Sequence, residues 1–282
     1  MKTQSPDTSP DAELVLIGMI RKASMSRRFA FVQAWTASMF EAGSQYIRQL
    51  HPQANDEEAR LLFIERQYGK DLADELRRSL HAYGVQVAAT VDYQRAICPL
   101  AKICEELDIP YALSGSLASS LYGLQRATLH IDLVADLRQK HLPSFCAQLS
   151  GLYLLHQEEI EAAIRQKTCF TLVHLESLLK VTVTLPGRPA TDQQVFHQVR
   201  KIALVQGGPS VLVLSPEELI LLLLEAFKRS NERADDLWYD LLGMVKVQGT
   251  DLDLPFLIQQ AALLGVAELF TRALIDAGLR DT

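Results

Sequence analysis

The chain has 282 residues, 48% hydrophobic and 22% charged, the balance of a globular protein with apolar surface for one large core or two modest ones. With 28 basic and 34 acidic side chains the formal net charge is −6, which excludes a protein that coats nucleic acid by bulk charge. No run approaches the ~18 apolar residues of a membrane helix, and four cysteines without a CxxC pair argue for reduced cytoplasmic thiols rather than a disulfide scaffold.

Residues 1–10 (MKTQSPDTSP) are polar with two prolines, which predicts a disordered lead-in. Residues 1–85 hold eleven basic and eleven acidic side chains, so the net charge arises in the rest of the chain. From 11 to 85 the pattern is helical. Leu14, Ile17 and Ile20, then Phe29, Val32, Trp35 and Met39, then Tyr46, Ile47 and Leu50 recur at three and four, the spacing of one helix face. The apolar Leu14–Ile20 run follows Asp11 and Glu13 rather than a basic region, so it reads as a helix and not as a signal peptide. Pro52 closes this stretch. Asn55 with Glu58 three residues on offers a capping box for a helix carrying Leu61, Leu62, Ile64 and Tyr68. A further stretch, Leu72 to Leu80, ends near Gly84. This module is three or four helices without a strand.

After Gly84 the pattern is mixed. Thr90–Leu107 suits a helix in which Pro99 imposes a kink or a later start. Short strands are expected at Tyr111–Leu113, Leu129–Ala135, Cys169–His174, Leu179–Leu185 and Val211–Leu214. Helices are expected between them at 115–122, 141–149 and 157–165. Ser215-Pro216-Glu217-Glu218 joins an N-cap serine, a proline at the first helical position and a capping glutamate. It opens a series of helices over 216–229, about 234–247, 254–263 and 266–277. The expected fold class is α+β. A helical module spans 11–85, an α/β core with a small mixed sheet spans 86–214, and a helical C-terminal region spans 215–282.

The stretch Leu113 to Val134 (LSGSLASSLYGLQRATLHIDLV) carries the chemistry. A strand runs into Gly115-Ser116 and then a helix of small residues, so backbone N–H groups and a hydroxyl can face an anion such as a triphosphate. The same Gly-Ser pair could be no more than a turn. The chain then reaches a strand where His130 and Asp132 share a face, because side chains alternate along a strand. Two carboxylates there, with a third from a neighbouring strand, would hold two divalent cations for phosphoryl transfer.

With Gly115, Ser116, Tyr122, Gly123, Arg126, Thr128 and Asp132 in this order, the chain resembles the nucleotidyltransferase-fold proteins grouped with the AbiEii-type toxins of bacterial toxin–antitoxin systems. Cys169–Val183 is similar to the strand pair that supplies the family's third carboxylate. Ser215–Arg229 is similar to its Ser-Pro-Glu-Asp helix, and Trp238–Leu254 to its Trp-x-Asp-Ile segment followed by Leu-Asp. Residues about 25–70 resemble a short helical protein found beside such transferases. The resemblance spans roughly residues 20–278. It implies a nucleotidyltransferase-like core, with Gly115, Ser116, Arg126, Thr128 and Lys180 binding nucleotide phosphates and Mg or Mn accompanying the NTP. Arg126 and Thr128 serve equally well to tie the loop to the strand.

The departures from that pattern bear on function. His130 stands at the first expected carboxylate and Thr182 at the third, so Asp132 alone is left as a catalytic remnant and metal ligand. A lysine of the relatives falls on Leu223. Mg²⁺ takes oxygen ligands in octahedral geometry, imidazole suits transition metals better, and a threonine hydroxyl is neutral. His130 is then either a partner of Asp132 or a ligand. Two readings follow. In the first, the chain has lost two-metal catalysis and binds a nucleotide, RNA or a protein in a regulatory role, with no cofactor required. In the second, it is an active nucleotidyltransferase that moves a nucleoside monophosphate from an NTP to tRNA, other RNA or protein. A third use of the chain is docking or homo-oligomer formation through the N-terminal helices; a membrane is not an expected partner.

Other residues have plainer readings. Tyr122, Trp238 and the Leu219–Leu224 run are expected in the core, and His174 with Glu176 is expected as a surface pair. Asp251 and Asp253 are expected as turn and N-cap groups, and Arg21, Lys22, Arg27 and Arg28 as a solvated helix face or a basic cluster.

Overall fold

The computed structural model describes residues 2–3, 7–186, 196 and 198–279. Its first elements are helices α1 (Pro10–Lys22), α2 (Met25–Leu50), α3 (Asp56–Tyr68), α4 (Lys70–Tyr83) and α5 (Tyr93–Glu106). Strand β1 (Tyr111–Ser114), α6 (Gly115–Tyr122), β2 (His130–Ala135), α7 (Leu142–Leu149), β3 (Tyr153–Leu154) and α8 (Gln157–Gln166) follow. Then come β4 (Cys169–His174), β5 (Lys180–Thr184), β6 (Val199–Ala203) and β7 (Ser210–Leu214). Helices α9 (Pro216–Arg229), α10 (Asp235–Gln248), α11 (Leu254–Leu263) and α12 (Ala267–Ala277) close the chain. The fold is α+β. Among the described residues no helix is long and apolar enough to cross a membrane.

The local signals explain where elements begin. Ser9 caps α1 by accepting from the Ala12 N–H, and Asn55 caps α3 by accepting from the Glu58 N–H at 2.8 Å. Ser215 accepts from the Glu218 N–H with Pro216 at the first position of α9. Pro99 lies inside α5, which starts at Tyr93 on the Asp92 cap. Strands β3 and β6 have no counterpart in the sequence expectations. Of the lead-in, residues 1 and 4–6 lie outside the described residues, while the Lys2 N–H donates to the Asp276 carbonyl at 2.7 Å.

The recurring apolar residues of α1 and α2 do not form one buried face. Ile17, Ile20, Phe29, Val32 and Ile47 are buried, but Leu14, Trp35, Met39, Tyr46 and Leu50 are exposed. The inward stripe of α2 runs through Val32, Thr36 and Phe40. Trp35 and Met39 each precede a buried residue by one position, a rotation of about 100° around the helix.

The chain forms two compact units. The terminal unit takes Met1–Val32, Leu113–Arg126 and Gln193–Thr282, and the central unit takes Gln33–Ala112 and Ala127–Asp192. In the terminal unit β1 pairs in parallel with β7 at Leu113 and Val213, and β6 pairs antiparallel with β7. Leu219, Ile220, Leu224 and Phe227 of α9 are buried with Leu241, Met244 and Val245 of α10. Helix α6 ends at Gly123, where an added Cβ would lie 2.7 Å from the Met244 backbone nitrogen, so the close approach of α6 and α10 excludes any side chain there.

Helix α1 is fixed to α10 by buried charge. The Lys246 ammonium, fully buried, donates to Glu13 at 2.7 Å and to the Lys2 carbonyl at 2.6 Å. Arg21 donates to the carbonyls of Lys246 and Val247, which end α10 without helical partners. Arg28 is buried and donates to the Leu121 carbonyl at the end of α6. Arg21 and Arg28 are therefore backbone ties; of the four cations only Arg28 is buried, and Arg21, Lys22 and Arg27 are exposed.

In the central unit four strands run in the order β3-β4-β5-β2. Strand β2 is parallel to β5, with Ile131 opposite Val181 and Asp132 opposite Thr182, while β4 is antiparallel to both β5 and β3. One face of these strands is core: Ile131, Leu133, Phe170, Leu172, Val181 and Val183 are all buried. Helices α2 and α5 meet through the hydroxyls of Thr36 and Tyr93, 2.8 Å apart.

Removing the Lys246 cation leaves the Glu13 carboxylate buried without its counter-charge. Lys246→Ala should cost about 3–5 kcal/mol in urea unfolding, whereas the paired replacement Glu13→Met with Lys246→Met should recover most of that loss.

Candidate functional site

The residues singled out in the sequence fall into both units, and each group has its own geometry. In the terminal unit, β1 ends at Ser114 and the next residue, Gly115, takes φ +62°, a left-handed conformation that a side chain resists. That turn starts α6 and presents Ser116. The Ser116 hydroxyl donates to Asp240 at 2.9 Å and accepts from the Arg126 guanidinium. Arg126 also forks onto Asp240, with Nε 2.6 Å from one carboxylate oxygen and Nη2 2.9 Å from the other. Asp236 adds a weaker contact at 3.9 Å.

Asp240 is buried in α10. Burial pushes its carboxyl up, and the Arg126 fork and the Ser116 hydroxyl pull the other way. Burial alone would lower the Arg126 guanidinium, but the Asp240 hydrogen bonds and charge turn the shift upward. Bidentate charge-assisted pairs of this kind are short and strongly oriented. The hydroxyl proton of Ser116 and the charge of Arg126 are thus committed to a resident carboxylate. Asp240 belongs to the Trp238-Tyr239-Asp240 segment noted in the sequence, yet nothing in its local spacing marks it as the partner of Arg126, 114 residues away.

In the central unit, alternation puts His130 and Asp132 of β2 on the face opposite the core. The register sets His130 beside Lys180, Asp132 beside Thr182 and Thr182 beside Thr171. Among the described residues this face therefore offers one carboxylate, one imidazole, one ammonium, the hydroxyls of Thr171, Thr182 and Thr184, and the Cys169 thiol. His130 is exposed, while Asp132, Lys180, Thr182 and Thr171 are half-buried. Thr128, just before β2, is buried; its hydroxyl accepts from the His130 N–H at 3.2 Å, and its own N–H donates to Thr36 at 3.1 Å. Thr128 ties the loop to the strand and to α2.

Tyr68, the last residue of α3, lies at the His130 end of this face. Its ring meets the imidazole edge-on at 5.6 Å between centroids, and the Lys180 ammonium lies 5.5 Å from the same ring, within cation–π range. Burial pushes the Tyr68 phenol up to about 12. In the sequence Tyr68 carried only the helical period of α3.

The donor set can be compared with what two Mg²⁺ ions require. Octahedral oxygen coordination of two dications calls for several carboxylate oxygens; His130, Asp132 and Thr182 supply a single carboxylate and do not fit that pair. Among the described residues no group of three or more His, Cys, Asp and Glu side chains could hold a metal ion.

Other sequence expectations resolve as follows. Tyr122, Trp238 and Leu223 are buried. Asp253 caps α11 by accepting from the Phe256 N–H at 3.0 Å. His174 is not on the surface: it is buried in β4, its Nδ1 2.8 Å from the Ser177 hydroxyl and its ring against Tyr153. Glu176 pairs with Arg95.

No family model matches the chain, and no curated protein matches it. Among solved structures it is similar to an antigenic nucleotidyltransferase-like protein from Paracoccidioides brasiliensis, with a TM-score of 0.37 and 18% identity over 64% of this chain and 93% of that one.

Two measurements test these environments. Asp240→Asn takes the counter-charge from the part-buried Arg126, and should cost about 3–5 kcal/mol in urea unfolding; Arg126→Met added to it should cost little more. Burial, helped by the Arg95 charge, lowers His174 from 6.5 to about 4. Folded His174 stays neutral where the unfolded chain takes up a proton, so stability is full above pH 6.5 and falls as pH drops toward 4, by about 3 kcal/mol in all. His174→Gln should flatten unfolding free energy across that window.

Proposed function

We propose that the chain is a nucleotidyltransferase-fold protein that binds the phosphates of a nucleotide but does not transfer the nucleotide by two-metal chemistry. The observation that supports this reading is the polar face of β2, β5 and β4. Asp132 is its one carboxylate, His130 and Thr182 occupy the positions where the sequence resemblance calls for two more, and Lys180 adds a positive charge beside them.

The chemistry follows from those groups. An ammonium attracts phosphate oxygens as a point charge, and the Thr171 and Thr182 hydroxyls can donate to the same anion. Asp132 repels it. In a transferase the metal ions neutralise the charge that develops on the transferred phosphoryl group. With one carboxylate the face cannot concentrate that positive charge, so a triphosphate would be held and left intact. The role that fits is regulatory, with an RNA or a protein responding to the nucleotide-bound state.

The charges make a discriminating test. Thermal unfolding with each NTP in EDTA should show a rise in Tm for at least one nucleotide. Lys180→Met should abolish the rise, and Asp132→Asn should enlarge it by removing repulsion. Transfer of labelled nucleotide in Mg²⁺ or Mn²⁺ that disappears in Asp132→Ala would overturn the reading and favour an active transferase.

A further inference from the structure

We infer that a cavity between α4 and α7 in the central unit binds a small organic cation, a primary amine with a short apolar body and a hydroxyl at its far end. The cavity holds about 560 Å³, within the range of small-molecule sites. Among the described residues none of β2, β4 or β5 lines it, so the inference does not rest on nucleotide binding at that sheet face.

Helix periodicity builds the walls. Glu75, Ser79 and Tyr83 recur every four residues along α4, so one stripe of that helix faces the cavity. A different stripe, Ala73, Leu76 and Leu80, is buried in the core. Pro143, Ala147 and Ser150, spaced four and three, come from α7 and its C-cap. The floor is the buried pair Tyr153 and Leu154 of β3.

The unspent polar atoms choose the ligand. The half-buried Glu75 carboxylate gives Oε1 to His156 Nε2 at 2.5 Å, while its Oε2 has no partner among the described residues. One turn on, the half-buried Ser79 hydroxyl has none among them either. No lysine or arginine among the described residues lines the cavity. An ammonium, three donors without an acceptor, serves both oxygens and answers the charge. A ligand carboxylate or phosphate would instead meet Glu75 in repulsion. Glu75 and Tyr83 lie about 12 Å apart along the helix, and Tyr153, Leu154 and Pro143 offer hydrocarbon to the body of the ligand. The Tyr153 hydroxyl is spent on the Ala96 carbonyl at 2.6 Å, so only its ring is left. At the far end the Tyr83 and Ser150 hydroxyls meet at 3.1 Å. One O–H makes that bond, and the other can donate to a hydroxyl or phenol oxygen.

Ligand-observed NMR titration of the full chain with tyramine and 2-phenylethylamine tests this. Tyramine should bind with a Kd of about 0.1–1 mM, and 2-phenylethylamine, without the phenol, more weakly. L-Tyrosine, which adds a carboxylate, and 4-ethylphenol, which lacks the ammonium, should each bind at least tenfold more weakly than tyramine. Glu75→Gln should weaken tyramine at least tenfold. Ala147→Trp, which fills the cavity from an exposed position, should abolish binding while far-ultraviolet circular dichroism stays unchanged. Glu158→Gln removes an exposed acid outside the lining and should leave the affinity as it was. No saturable binding of either amine up to about 10 mM, equal affinity for tyramine and 4-ethylphenol, or tyramine binding that survives Glu75→Gln or Ala147→Trp would overturn the inference.

Discussion

Within the terminal unit, the seating of the segment that ends at Arg126 depends on one part-buried ion pair, the fork of Arg126 onto Asp240. Residues Leu113–Arg126 are a short insertion of this unit between two stretches of the central one. Fourteen residues, one short helix among them, bury too little on their own to fix their orientation. The fork supplies it. It joins the end of the insertion to α10, and through Ser116 it joins the start of α6 to the same carboxylate. The bare approach at Gly123 completes the seating. A bidentate guanidinium–carboxylate pair adds direction as well as energy, which suits a segment that must leave at Arg126 and return to a different unit. The residues expected to cradle a phosphate are thereby assigned a structural task.

The polar face of the central strands shows how chemistry and fold separate. Alternation obliges Ile131, Leu133, Val181 and Val183 to fill the core and sends 130, 132, 180 and 182 to the other side. Exchanging a carboxylate for histidine or threonine at the outward positions removes no core volume and breaks no ladder hydrogen bond. Sheet stability therefore places almost no constraint on them. A catalytic set can be dismantled there while the register, the pairing and the twist stay intact. The same freedom admits the Lys180 cation beside His130 on this face.

Much of this was legible because local rules wrote it. Ser215-Pro216 starts α9, Asn55 starts α3, Asp253 starts α11, and Gly115 turns the chain after β1, each within a few residues of its own cause. What was not legible depends on partners far away in the chain. Asp240 meets Arg126 across 114 residues, and Arg21 meets Val247 across 226. A basic residue in a helical stretch reads as solvated unless the carbonyls it will cap are known. His174 and Glu176 read as a surface pair, but β4 ends at His174 and buries it, while Glu176 lies half-exposed in the turn beyond. Periodicity reports which residues share a helix face, and it is silent on whether that face turns inward. Trp35 and Val32 carry the same apolar signal, and only the packing of α2 separates them.

That last ambiguity bears on what the N-terminal helices are for. Arg21 and Lys22 at the end of α1 and Arg27 and Arg28 at the start of α2 read in the sequence as a solvated helix face or a basic cluster. Two of them, Arg21 and Arg28, are held by carbonyls at the ends of α10 and α6, where the helix dipole also favours a positive charge. Lys246, which lies against α1, is spent on Glu13. Further along α2, Arg48 answers Glu41 and Asp56. Arg28, Lys246 and Arg48 are thus engaged within the fold, while the Glu41 side chain is half-exposed on α2 and the Arg66 guanidinium lies over the Tyr46 ring. Nucleic acid is recognised first through its phosphates and needs unspent cations. Besides Arg21, α1 and α2 leave Lys22 and Arg27 exposed, and both belong to the terminal unit rather than to the stretch of α2 between 34 and 50.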